Sequence, residues 1–226
     1  MEKSPEEIEK VTEKKEEDDS ASNQLNNLSL DGSNAAKDFF AFMLDLGKTA
    51  AIVFVIAFLL RYFAVQPYIV DGESMRPTYQ NREYLLAEKV SYLIGQPKRG
   101  DVIVFNYPKN PRVNYIKRII GLPNETVKII NSKITIINAE NPNGLVLTED
   151  YLPPDFKTLT PEVTGDFVKK LGNDEYFVLG DNREHSSDSR EWGVLPRNLI
   201  VGRSWVTLLP LDRTSVHKGV TYPNSN

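Results

Sequence analysis

Residues 126–137 read TVKIINSKITII: two apolar-rich runs, Thr126 to Ile130 and Lys133 to Ile137, around Asn131-Ser132. Short β-prone runs joined by a two-residue connection led by asparagine are a hairpin signal. The pattern repeats on either side. Upstream, Asp101 to Tyr107 (DVIVFNY) is a strand entered from the Arg99-Gly100 turn and stopped by Pro108. The string Arg99-Gly100-Asp101 is read as that turn rather than as an adhesion motif. Downstream, Tyr176 to Leu179 and Leu199 to Leu208 are further strands. Prolines, glycine and charges dominate from Asn141 to Leu171, which is expected to be an exposed excursion between strands. Neither a repeat nor a helical period interrupts this half, so an all-β, antiparallel domain is expected over 66–226.

The N-terminal part is built differently. Residues 1–34 hold ten acidic residues and four lysines, a net −6, which leaves +2 on the rest of a chain whose total is −4. A segment with so few large apolar side chains cannot offset the entropy of ordering itself, so 1–36 is expected to be a disordered acidic tail. Neither part is basic enough to suggest nucleic acid. From Thr49 to Leu60 (TAAIVFVIAFLL) there is no charge, and RYFAV extends the run to Val65. These seventeen residues make roughly 25 Å of helix against a ~30 Å hydrocarbon core. Arg61 can snorkel to one interface, and Phe39 to Leu44 can add an amphipathic turn at the other. The stretch begins far from the N-terminus and no small-x-small cleavage site follows it, which sets it apart from a secretory signal. A single transmembrane anchor is expected within 37–65. Lys37 and Lys48 on one side balance Arg76 and Arg82 on the other, so local charge does not orient it. The chain has no cysteine and two histidines, His185 and His217, which excludes disulfides and argues against a multi-histidine metal centre.

Three segments carry chemistry. The first is DGESMRPT, residues 71–78, directly after the β-like run Tyr68 to Val70. Ser74 stands between Gly72 and Pro77, on a stiff corner that substrate could approach; by itself this also describes an ordinary turn serine. The second is NYIKRIIGLP, residues 114–123. Alternation puts Tyr115, Lys117 and Ile119 on one face and Ile116, Arg118 and Ile120 on the other. Two adjacent cations in an apolar strand either reach water at an edge or find partners, and a desolvated lysine can instead shed its proton. At an ordinary pKa a lysine is only about 0.1% neutral near pH 7.5, a deficit of roughly 4 kcal/mol that burial can remove. A neutral amine of this kind can take a proton from serine. The third is GDNREHSSDSREWG, residues 180–193, whose density of paired charges exceeds what a plain loop needs.

Together these segments resemble the signature blocks of type I signal peptidases: Ser-Met-x-Pro-Thr, then Tyr-Ile-Lys-Arg-x-x-Gly-x-Pro, then Gly-Asp-Asn-Arg-x-x-Ser-x-Asp-Ser-Arg. The resemblance extends from the anchor to about Pro210. It implies a membrane-bound serine protease with an antiparallel β-sheet catalytic domain, no metal and no cofactor. It implies Ser74 as nucleophile, Lys117 as general base, and Ser186 as the hydroxyl that orients the lysine amine. It also implies Asp181 with Arg118 and Asp188 with Arg190 as bracing charge pairs, and Tyr68, Val70, Met75, Tyr115 and Ile116 as the substrate pocket. The implied substrates are preproteins bearing signal peptides, cut after small residues through an acyl-enzyme on Ser74. The implied location is the bacterial plasma membrane, or the thylakoid membrane, with a cytoplasmic N-terminus and an extracytoplasmic catalytic domain.

Two positions depart from the pattern. Gly72 stands where some members carry a serine as oxyanion donor, so backbone N–H groups around Gly72 and Ser74 must supply that stabilisation. Pro123-Asn124-Glu125 replaces Pro-Gly-Asp, a change expected only to alter a turn. His185 falls on an unrestricted position of the third block, so a Ser-His-Asp arrangement is not expected. A self-cleaving Ser-Lys regulator is disfavoured by the membrane segment, and an inactive tethered binding module by the presence of both serine and lysine.

Overall fold

The computed structural model describes residues 35–58, 64–160 and 166–222. The acidic tail is outside the described residues apart from Ala35 and Ala36, and so is Arg61. The N-terminal unit ends at Phe58, and its described residues form one helix, α1 (Ala35–Phe58, 24 residues). That is about 36 Å, enough to cross a hydrocarbon core. Every described α1 residue is exposed. The expected boundaries shift here. Phe39 to Leu44 belongs to the continuous helix, and Val65, expected to end the anchor, opens the first strand instead.

The remaining elements belong to the second unit. They are β1 (Val65–Ile69), β2 (Tyr84–Glu88), α2 (Ser91–Ile94), β3 (Val102–Tyr107), β4 (Asn110–Gly121), β5 (Thr126–Ile130), β6 (Lys133–Ile137), β7 (Leu145–Val146), β8 (Phe167–Lys170), β9 (Glu175–Leu179), α3 (Ser189–Trp192), β10 (Leu195–Pro196), β11 (Ile200–Leu209) and β12 (Ser215–Val216). One sheet has eight strands in the order β1-β2-β11-β3-β4-β9-β10, with β12 on β11; a second has four, β7-β6-β5-β8. All recorded pairings are antiparallel, so the expected all-β architecture is observed.

The hairpin forms as its sequence requires. Ile130 pairs with Lys133, and Asn131 and Ser132 take φ of 49° and 64°, the left-handed pair of a tight two-residue turn. Alternation then buries Val127, Ile129, Ile134 and Ile136 on one face. That face packs on Ile120, Phe177 and Leu179 of the larger sheet to form one core cluster. A second cluster gathers Ile103, Phe105, Ile119, Val178 and Trp192; a third gathers Val70, Met75, Tyr79, Leu85 and Val104 beneath the corner that follows β1.

The segment from Asn141 to Leu171 is more than an exposed excursion. It supplies β7 and β8 to the second sheet, and Leu147 and Leu171 enter its core at 7% and 2% exposure. Widely spaced apolar residues hid this in the sequence, because each enters the core singly.

Candidate active site

Ser74 sits at the apex of a loop whose ends are fastened together. The Val70 N–H donates to the Glu83 carbonyl at 2.9 Å and the Arg82 N–H to the Val70 carbonyl at 2.8 Å. Within the loop Gly72 takes φ of 103°, a conformation that a side chain at this position would strain. Just beyond the serine the chain turns inward. The Tyr79 N–H donates to the Met75 carbonyl at 2.9 Å, and the side chains of Met75 and Tyr79 are buried at 1% and 0% exposure. The Tyr79 hydroxyl lies 2.7 Å from Ser204 Oγ on β11. Two buried anchors thus hold the corner from below and leave Ser74 facing out.

Lys117 comes from β4, opposite Ile103 of β3. On the other side of β4, pairing with β9 begins only at Arg118, so Lys117 stands where the sheet opens. It is 3% exposed, and Nζ lies 2.7 Å from Ser74 Oγ and donates to the Ile116 carbonyl at 2.8 Å. Burial pulls its pKa down to about 8, outweighing the Asp188 and Asp181 carboxylates, which pull the other way. The amine is therefore partly neutral near neutral pH and can accept the serine proton.

The neighbouring Arg118 is handled differently. Its Nε and Nη2 donate to the two Asp181 oxygens at 2.8 and 2.6 Å, and its Nη1 donates to the Gly100 carbonyl at 2.8 Å. The Thr78 hydroxyl also donates to Asp181, tying the Ser74 corner to the same carboxylate. Burial disfavours the Arg118 charge, but Asp181 outweighs that and holds its pKa above the ordinary value. Asp188 receives Nε and Nη2 of Arg190 at 2.8 and 2.7 Å and the N–H of Gly180 at 3.1 Å. The loop over 180–188 also grips the nucleophile's backbone. The Asn182 N–H donates to the Ser74 carbonyl at 3.0 Å, and Asn182 Nδ2 donates to the Glu73 carbonyl at 3.1 Å. A Cβ on Gly180 would collide with that Ser74 carbonyl and with Ser186, so the close approach requires glycine.

A cavity of about 360 Å³ opens beside Ser74 and Lys117. Its walls are the end of β1 with the residues after it, Tyr68 to Glu73, and Val113 to Ile116 of β4; Leu85 and Val104 form its floor.

Against this geometry the family assignment can be made. The model of the family described as signal peptidase, peptidase S26 matches residues 43–209. The chain belongs to that family. A signal peptidase I P of Bacillus subtilis subsp. natto is 39% identical over 176 residues, 76% of this chain and 91% of its own. A signal peptidase I of Leptolyngbya laminosa is 39% identical over 175 residues, covering 74% and 79%. A probable signal peptidase I-2 of Synechocystis sp. is 35% identical over 180 residues, covering 76% of each. Family membership makes the chain a serine endopeptidase of the signal peptidase type.

The structure brings together Ser74, Lys117, Asp181, Arg118, Asp188 and Arg190, and it places Tyr68, Val70, Tyr115 and Ile116 on the cavity wall. Three expectations need correction. Met75 does not line the cavity, because the inward turn after Ser74 carries its side chain into the core. Among the described residues the buried Ser186 hydroxyl has no hydrogen-bond partner, and the lysine amine meets Ser74 and the Ile116 carbonyl instead. The Gly72 N–H donates to Asn81 Oδ1 at 3.0 Å, which leaves Ser74 N–H as the amide beside the nucleophile able to meet an oxyanion.

Glu125 also does more than reshape a turn. It is 5% exposed, grips Arg99 with both oxygens at 2.8 and 2.6 Å, and accepts from the Leu122 N–H at 2.8 Å. The sequence reading did not single out Leu85, Val104 or Thr78. The alternation within Asp101 to Tyr107 was the available signal for Val104. His185 lies on the cavity rim and makes no recorded hydrogen bond to Ser74 or Lys117.

Proposed function

We propose that Ser74 is the nucleophile and Lys117 the general base of a membrane-anchored peptidase that removes signal peptides from exported preproteins. The observation that carries this is the 2.7 Å approach of a buried, acidified lysine amine to a serine hydroxyl at the mouth of a cavity.

The chemistry follows from that geometry. Ser74 Oγ attacks the scissile carbonyl carbon while its proton passes to Lys117 Nζ. The carbonyl oxygen becomes an oxyanion facing the Ser74 N–H. The Lys117 ammonium then protonates the leaving amine, the C–N bond breaks, and an acyl ester remains on Ser74. Water attacks that ester while Lys117 takes its proton; the acyl C–Oγ bond then breaks as the Lys117 ammonium returns the proton to Ser74 Oγ, which frees the new carboxyl terminus and regenerates the neutral amine.

Substrate is proposed to bind as an added strand. β1 pairs only with β2 among the described residues, and β4 up to Lys117 pairs only with β3, so backbone groups face the cavity from both walls. Apolar side chains of Val70, Leu85, Val104 and Ile116 in this cavity select small side chains. The helix is proposed to hold the enzyme in a lipid bilayer, of plasma or thylakoid membrane, with the N-terminus cytoplasmic and the catalytic domain outside. Neither nucleic acid nor a cofactor has a part in this scheme.

The test is cleavage of a preprotein in detergent by the full chain and by Ser74→Ala and Lys117→Arg. Both variants should fold and show no cleavage, since a guanidinium cannot shed its proton. In the unmodified protein the acid limb of kcat/KM should titrate near the Lys117 value of about 8. Substantial cleavage by Lys117→Arg would overturn the assignment.

A further inference from the structure

The segment expected to be an exposed excursion reaches back to the loop that grips Ser74. Arg183, 2% exposed, is the hub of this contact. Its two terminal nitrogens donate to the two carboxylate oxygens of Glu149, and it also donates to the Thr158 hydroxyl at 2.7 Å and the Tyr151 hydroxyl at 2.8 Å. Its Nε donates to the Gly180 carbonyl at 3.1 Å, inside the loop. A few residues on, Arg190 Nη1 donates to the Leu159 carbonyl at 2.8 Å. Arg183 within the loop over 180–188 and Arg190 just beyond it are therefore both held from residues 149–159. The same loop carries Asn182, whose N–H donates to the Ser74 carbonyl, and Asp181 and Asp188, the two carboxylates that act on Lys117.

We propose that Glu149 is a positioning residue: by holding Arg183 with both oxygens it fixes the loop over 180–188 against Ser74 and Lys117, so that residues 147–160 act as a strap on the catalytic loop. The inference rests on Lys117 being the general base. Glu149 is remote in sequence from all three signature blocks and touches neither Ser74 nor Lys117, so its influence passes through the groups it holds, Arg183 and the Tyr151 hydroxyl that donates to it at 2.8 Å.

Charge balance shows how the influence is transmitted. Asp181, Asp188 and Glu149 face Arg118, Arg190 and Arg183, three against three, with the Tyr151 and Tyr222 hydroxyls 3.0 Å apart beside them and Tyr151 under the Arg118 guanidinium. If Glu149 loses its charge, Arg183 remains a buried cation that cannot neutralise itself. The remaining carboxylate whose field it already feels is Asp181. Asp181 would then be shared between Arg118 and Arg183, and its hold on the Lys117 ammonium would weaken.

The experiment uses the full chain in detergent with a preprotein substrate. In Glu149→Gln, kcat should fall about tenfold or more while KM changes little, and the acid limb of kcat/KM should move down by about half a pH unit as the ammonium loses support. In the double variant Glu149→Leu with Arg183→Met no unpaired charge remains, so the fold should recover and the acid limb should return to its original position. Glu149→Asp should restore most of kcat. A Glu149→Gln protein that loses thermal stability while its acid limb and kcat are unchanged would overturn the strap and leave Lys117 standing. If Glu149→Gln does not fold, a displaced acid limb in the double variant would overturn the charge-balance link. Cleavage by Lys117→Arg would instead overturn the base assignment, so the two failures are distinguishable.

Discussion

Replacing Lys117 by methionine should abolish cleavage and make the protein more stable at neutral pH, with a gain that vanishes in alkali. Burial lowers the Lys117 pKa from 10.5 to about 8. Unfolded, the amine holds its proton up to 10.5; folded, it releases it above about 8. Between those values the unfolded chain binds the extra proton, so stability climbs with pH through that window. Below about 8 the folded protein bears the full cost of a buried ammonium, about 3 kcal/mol for a shift of this size. Methionine has nearly the same length, fills the same space and carries no charge. It also leaves the Ile116 carbonyl and the Ser74 hydroxyl without their partner, which costs about 1–2 kcal/mol. The net effect at pH 7 is a gain of about 1 kcal/mol. The hydrogen-bond loss is the same at every pH and cancels when two pH values are compared. Urea unfolding of both proteins at pH 7 and pH 10 should show the methionine variant's relative stability falling by about 2–3 kcal/mol as pH rises. A relative stability that does not change with pH would mean the lysine is not desolvated, and the account of its activation would fail with it.

Asp181→Asn should cost about 3–5 kcal/mol, because Arg118 at 2% exposure is left charged and unpaired; thermal unfolding would show it as a large drop in Tm, and a Tm within a degree or two of the parent would contradict it. A chain starting at Ala64, whose carbonyl accepts the Lys89 N–H, should fold and cleave short peptides slowly while losing efficiency on membrane-held preproteins, and complete loss of peptide cleavage in a folded domain would refute that division. Val104→Ala should cost about 2 kcal/mol and deepen the cavity floor, so that peptides with a larger side chain before the cut gain in kcat/KM relative to alanine; an unaltered preference would remove Val104 from the specificity surface.

The sequence made some of this legible and hid the rest for physical reasons. The β5–β6 hairpin was readable because alternation and turn lie within twelve residues, so register follows from local chemistry. Ser74 and Lys117 were readable because their neighbours form compact blocks. β2 was missed: it is a five-residue strand whose partners, β1 and β11, are far apart in sequence, and tertiary pairing decides it. The Glu149–Arg183 and Glu125–Arg99 pairs were hidden because a charged residue in a polar stretch looks solvated until its distant partner is known. Gly72 and Met75 were misplaced because side-chain direction in an irregular loop follows no period. There, the hydrogen bond that the Gly72 N–H donates to Asn81 Oδ1 and the one that the Tyr79 N–H donates to the Met75 carbonyl set the direction.

The treatment of buried cations in this domain explains why a lysine, rather than an arginine, stands beside the serine. Arg99, Arg118, Arg183 and Arg190 are each nearly buried, and each holds a carboxylate at 2.5–2.7 Å. A guanidinium retains its proton in any protein environment, so burying one requires an anion beside it. Lys117 is as deeply buried and has no ion pair among the described residues; its partners are a hydroxyl and a carbonyl. An ammonium so placed can relieve its desolvation by giving up a proton, and the serine beside it supplies one to be exchanged. Asp181 and Asp188 are close enough to register on the amine, yet each is already bound to an arginine. They brace the loop without restoring the charge on Lys117. The ion pairs around the site therefore serve catalysis by occupying the carboxylates that would otherwise keep the lysine protonated.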